Sequence, residues 1–178
     1  MLKIALVYGA ISGIVVISIM TLGMSLGSEG QADFAGSQVF GYLVMLVALM
    51  MIFIGVKRYR DQSLGGVIKF GPALGLGLAI AAVAGVFYVI GWEIFLAVTD
   101  YAFINDYRDS LIATKEKAGV TGAELEKVVS DMTAMMENYR NPLFRIPITF
   151  LEIFPVGIVI ALVSAAILRN PKAFPARG

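Results

Sequence analysis

Apolar runs alternate with short polar breaks along this chain, and four of the runs are long enough to cross a lipid bilayer. They cover residues 4–26, 39–56, 71–98 and 146–168. At about 1.5 Å per helical residue, the last run extends roughly 34 Å, against a hydrocarbon core of about 30 Å. It carries one carboxylate, Glu152, and a proline, Pro155, and no other ionisable side chain lies between Arg145 and Arg169. An ionisable group inside a span is expensive and marks a position to explain. The first run follows a lone Lys3. It exceeds the about 7–15 residues of a signal-peptide core and lacks an A-x-A-like cleavage site, so the pattern predicts a retained span.

Small residues recur within the runs at helical spacing. Gly9 and Gly13 form one G-x-x-x-G pair, and Gly23 and Gly27 another. Gly41, Ala48 and Gly55 line one face of the second run, and Gly77, Ala81 and Gly85 one face of the third. Such stripes let helix backbones approach closely. The third run starts at Gly71-Pro72, where a first-turn proline costs no helix bond. It ends near Tyr88, Trp92 and Glu93, at the depth of the far interface, with Trp92 as an aromatic anchor.

Polar residues dominate only between residues 100 and 141, where the periodicity changes to two amphipathic helices. Phe103, Ile104, Tyr107 and Leu111 give the first its apolar stripe, and Gly119 stops it. Thr121 and Glu124 match a capping box. Behind them Leu125, Val128, Met132, Met135, Met136 and Tyr139 form a second stripe, widened by Val129. It reads either as an adaptable docking face or as packing against the first helix or the membrane. Asn141-Pro142 ends this helix. The predicted fold is therefore all-α: a polytopic membrane protein in one domain, residues 1–178. Four transmembrane helices carry an extracytoplasmic helical hairpin, about residues 100–141, between the third and fourth.

Composition narrows the chemistry. The hydrophobic fraction is 58% and the charged fraction 15%, against about 25% charged in soluble domains. With no cysteine and no histidine, the chain lacks disulfides, thiolates, imidazole bases and the commonest metal ligands. No nucleophile-with-base spacing is visible, so no catalytic, cofactor-binding or metal residue is assigned, and an enzyme is the weakest reading. Nothing points to nucleic acid.

Charge placement sets the orientation. Lys3, Lys57, Arg58, Arg60, Lys69, Arg169, Lys172 and Arg177 fall on one side with a single acid, Asp61. The positive-inside rule makes that side cytoplasmic and predicts both termini there. The basic turn at 57–61 is read as this topology signal, with an anionic-lipid patch as the alternative. On the other side, Glu93, Arg145, Thr149, Glu152 and Pro155 form a candidate intramembrane polar cluster. Pro155 cannot donate to the Leu151 carbonyl, which leaves an acceptor beside the carboxylate. The cluster reads as a structural ion pair or as a proton- or cation-coupling site.

Several stretches also resemble a bacterial membrane family known as domain-of-unknown-function family 4199. The resemblance runs through 41–43, 55–61 (Gly-Val-Lys-Arg-Tyr-Arg-Asp), Gly91-Trp92-Glu93, 141–144 and 149–157 (Thr-Phe-Leu-Glu-Ile-Phe-Pro-Val-Gly). It implies a four-helix inner-membrane protein and glutamates at the positions of Glu93 and Glu152, and supplies no activity. The expected function is a non-enzymatic membrane component without cofactor. It sits among membrane lipids in a bacterial inner membrane and self-associates or binds a membrane or periplasmic partner through the hairpin. The alternative is a small proton- or cation-coupled transporter using Glu93 and Glu152.

Overall fold

A computed structural model describes residues 1–26 and 38–175. Seven helices form among them: α1 (Leu2–Leu26), α2 (Gln38–Leu49), α3 (Met51–Ser63), α4 (Phe70–Val98), α5 (Ala102–Lys117), α6 (Gly122–Arg140) and α7 (Pro142–Leu168), with no strand. Four stretches are long and apolar enough to span a bilayer: Leu2–Met24, Val39–Ser63, Phe70–Val98 and Pro142–Leu168. The second combines α2 and α3, interrupted only at Met50, whose N–H bonds the Val47 carbonyl in a tighter turn. This is a multi-pass helical membrane protein. Residues 27–37, which include Gly27 and follow the first apolar run, and Arg177 lie outside the described residues.

The chain divides into two compact units, Met1–Gly91 with Phe150–Gly178, and Trp92–Thr149. In the first, large apolar side chains point outward: Leu6, Ile11, Leu46, Val47, Val86 and Val159 are all exposed. Ser12 and Ser164 are buried instead, and the Ser12 hydroxyl donates to the Ala48 carbonyl at 2.9 Å. A surface this apolar, over an interior that is apolar as well, suits lipid as solvent. Small residues make the contacts that their spacing predicts. A Cβ on Gly13 would press into the Ala84 carbonyl and lie 2.8 Å from Phe87 Cβ, so α1 and α4 meet backbone to backbone. Gly77 faces Ala161, and Gly157 faces Ala81, closing α4 on α7 in the same way.

Two helix boundaries differ from the sequence expectation. The second apolar helix continues past Val56 to Ser63, carrying its basic turn as a last helical turn. The fourth begins at Pro142 and not near Ile146, because Asn141 serves as its N-cap, accepting from the Leu143 N–H at 3.0 Å, with proline at the first helical position. Glu152 therefore lies ten residues, about 15 Å, into the helix.

The second unit holds α5 and α6, packed as a helical hairpin. Met136 is buried, and Leu125, Val128, Met132 and Tyr139 are half-buried, while Val129 and Met135 face outward. Gly119, at φ +87°, ends α5 by a paired motif: Val120 N–H bonds the Lys115 carbonyl, and Gly119 N–H bonds that of Glu116. Thr121 occupies the N-cap of α6 with extended backbone, but the predicted capping box does not close, as no side-chain cap bond forms. Gly122, left-handed at φ +63°, turns the chain just where that box needs a regular first turn.

Candidate functional site

Two polar constellations are built from residues that the sequence singled out, each within one unit. In the second unit the centre is Arg145, fully buried although it carries a permanent charge. Its position in the first turn of α7 lets the side chain reach back to the end of α6. Nη1 donates to the carbonyls of Tyr139 (3.1 Å) and Arg140 (3.0 Å), two acceptors that the helix end leaves without donors. Nε and Nη2 grip Glu93 at 2.7 and 2.6 Å in a bidentate fork. The rings of Tyr101 and Tyr139 flank the guanidinium at 5.4 and 5.9 Å. One side chain thus ties α4 to the junction of α6 and α7.

Aromatic packing completes this joint. Trp92, expected as an interfacial anchor, is instead only 7% exposed, with its ring against Phe95 and Phe103. Its Nε1–H donates to the Tyr139 hydroxyl at 2.9 Å, and that hydroxyl lies 3.4 Å from the Thr149 Oγ1. Glu93, Arg145 and Thr149 therefore belong to one network, with Arg145 and Thr149 buried and Glu93 half-buried, whose Tyr139 link the sequence pattern placed in the docking stripe. Tyr101 enters it through strain. Asp100 and Tyr101 are both left-handed, at φ +50° and +58°. Tyr101 N–H bonds the Leu96 carbonyl at 2.8 Å and Asp100 N–H that of Ala97, closing α4 with the glycine-type motif but without glycine.

The other constellation lies in the first unit. Tyr88, 3% exposed on α4, donates its hydroxyl to Glu152 Oε2 at 3.2 Å and lies 3.6 Å from Met20 Sδ. Glu152 itself is exposed on α7, as is Pro155 one turn further on. The candidate cluster thus resolves into two carboxylates with different partners: Glu93 takes an arginine, Glu152 a tyrosine. Tyr88 was legible in the sequence only as an interfacial aromatic, and its spacing carried no hint of this role.

A third polar feature, Arg60, was read only as part of the basic turn. It is fully buried at the end of α3. Its guanidinium donates to the carbonyls of Leu168 (3.4 Å), Ala173 (2.9 Å) and Phe174, and its Nε to Asp61 at 2.7 Å. Lys57 shares Asp61 at 2.5 Å, and Arg58 bonds Gln62 and the Tyr8 hydroxyl. Each end of α7 is therefore fastened by an arginine that satisfies helix-terminal carbonyls. Among the described residues no cluster of acids suits a metal ion.

A family model described as "Protein of unknown function (DUF4199)" matches residues 7–170. No curated protein and no solved structure matches the chain.

Proposed function

The chain belongs to this family of unknown function, and on that premise we propose that it is a non-enzymatic component of a bacterial inner membrane, with its spans holding a rigid hairpin outside the cytoplasm. Through that hairpin it associates with a second copy or with a membrane or periplasmic partner. The observation that carries this reading is the way Arg145 is held by four of its five N–H donors. Four N–H···O bonds hold its buried guanidinium on Glu93 and on the last carbonyls of α6. A charge engaged in this way is spent on positioning the hairpin, not on meeting a ligand. Removing one partner of a buried pair costs about 3–5 kcal/mol, which is a strong restraint on the joint.

The surface left for association is the outward side of α6, where Val129 and Met135 are exposed at 37% and 47%. A photoreactive residue at Met135 should trap a discrete protein adduct in intact cells. One at the buried Met136 should not. Lipid adducts alone at Met135 would overturn the reading.

A second reading is favoured by the hydrogen bond from Tyr88 to Glu152 inside the spans: a small proton-coupled transporter in which Glu152 titrates and Glu93, held by Arg145, is structural. Reconstituted protein would then support a proton flux that Glu152→Gln abolishes and Glu93→Gln does not abolish while the fold survives.

A further inference from the structure

Glu152 presents a problem that the first unit does not solve. It lies about 15 Å into a membrane-spanning helix, and its side chain is too short to lift the carboxyl to the headgroups as a lysine would. Yet it is exposed, and it shares its side of α7 with Pro155, Val159, Leu162 and Ala166, all exposed at three- and four-residue steps. Among the described residues its hydrogen bond, from Tyr88, occupies Oε2. A second polar group lies on the same side. Because Pro155 has no N–H, the Leu151 carbonyl has no donor in its own helix. Hydrocarbon offers partners to neither group, and each unsatisfied one is costly there.

We propose that a second copy of this chain packs on this side of α7, and that Glu152, in its acid form, donates from Oε1 to the partner's freed Leu151 carbonyl. The two groups are self-complementary. One face carries a donor and an acceptor a single residue apart along the helix, and so at nearly the same depth. A two-fold axis along the membrane normal brings each group to its counterpart in the other copy, forming two equivalent bonds in an isologous contact. A lipid tail supplies neither donor nor acceptor. Proline and glutamate three residues apart on an outward face thus act together: one frees the acceptor that the other needs. This contact is separate from the hairpin, so either can fail without the other.

The test is subunit counting by single-molecule photobleaching. Full-length protein is reconstituted in phosphatidylcholine/phosphatidylglycerol vesicles and diluted in lipid. Wild type should pass from dimer to monomer with dilution. Glu152→Leu removes the donor, and Pro155→Ala returns an N–H to the Leu151 carbonyl. Each should move the midpoint to about tenfold higher protein density, the effect of losing two intramembrane hydrogen bonds. Glu152→Gln keeps an N–H donor and should stay near wild type. Pro155→Ala also regularises its helix, so a shift there is not a folding defect. Monomers at every density would overturn the proposal. So would a midpoint unmoved in either variant, because the bond has two ends.

Discussion

Arg145 and Glu93 meet as fork and carboxylate, through parallel hydrogen bonds of 2.7 and 2.6 Å, while the same guanidinium holds the carbonyls of Tyr139 and Arg140. Its cost and its benefit are both large, because a buried charge is tolerable only when fully paired.

Arg145→Ala should therefore destabilise the protein by about 3–5 kcal/mol, leaving Glu93 and two carbonyls without a donor. Arg145→Lys should lose much of this as well, since an ammonium cannot reproduce the fork. The double change Arg145→Met with Glu93→Leu removes both charges and should recover most of the loss. Thermal unfolding in detergent would measure all three. A double variant as unstable as Arg145→Ala would show that the carbonyl bonds, not the ion pair, carry the restraint.

Asp100 stands where helix ends usually have glycine, at φ +50°. A left-handed L-residue costs about 1–2 kcal/mol, less for aspartate than for most. Asp100→Gly should raise stability by up to about 1 kcal/mol, as the motif it closes keeps both of its backbone bonds. Tyr101→Gly relieves the same strain but removes a ring from the guanidinium, and should gain nothing. Equal gains from both variants would count against any role for the Tyr101 ring.

Arg60 predicts a local effect. It is the fastening between α3 and the segment that follows α7, where the Phe174 ring packs edge-on to Phe53 at 5.3 Å. Arg60→Ala should cost about 1–3 kcal/mol by stranding carbonyls and Asp61. Hydrogen exchange should accelerate first in residues 169–175. Uniform acceleration across all four spans would contradict a local fastening.

Length and hydropathy were enough to find the spans, since a run of apolar residues near 30 Å has few other uses. The hairpin was legible through its switch to three-and-four spacing, and Gly119 marked its turn. Arg60 was not legible. A basic residue in a basic turn reads as solvated, and the carbonyls that bury it lie 108 to 114 residues away. The same holds for Tyr88 and Glu152, 64 residues apart, and for Trp92 and Tyr139, 47 apart. Asp100 was missed for another reason: a left-handed helix end is recognised by glycine, and here an aspartate fills it. Local pattern located the elements, but long-range partners decided which polar residues were structural.

Gly13 tests the packing of α1 on α4. A Cβ there meets backbone at Ala84 as well as the Phe87 side chain, so the helix pair has no flexible atom to move aside. Gly13→Val should cost at least the about 1–3 kcal/mol of an overpacked core. Gly75 has open space around a built Cβ, and Gly75→Ala should be neutral or slightly stabilising by helix propensity. Comparable losses at both positions would mean that the two helices tolerate no added volume anywhere.

The orientation rests on charge alone, and the composition makes it simple to test. No cysteine occurs anywhere in the chain, so any single cysteine is a unique label. Lys127 lies on the exposed side of α6, and Lys172 follows α7. With four crossings, these positions fall on opposite sides of the membrane. The proposed orientation, read from the excess of lysine and arginine beside the Lys172 segment, has that segment in the cytoplasm. A membrane-impermeant maleimide applied to intact cells should label Lys127→Cys and leave Lys172→Cys unmodified until the membrane is opened. Labelling of Lys172→Cys alone would reverse the orientation and move the hairpin, with whatever it binds, to the cytoplasm. Labelling of both would put the two positions on one side, with an even number of crossings between them, and the assignment of α7 as a single crossing would fall with it.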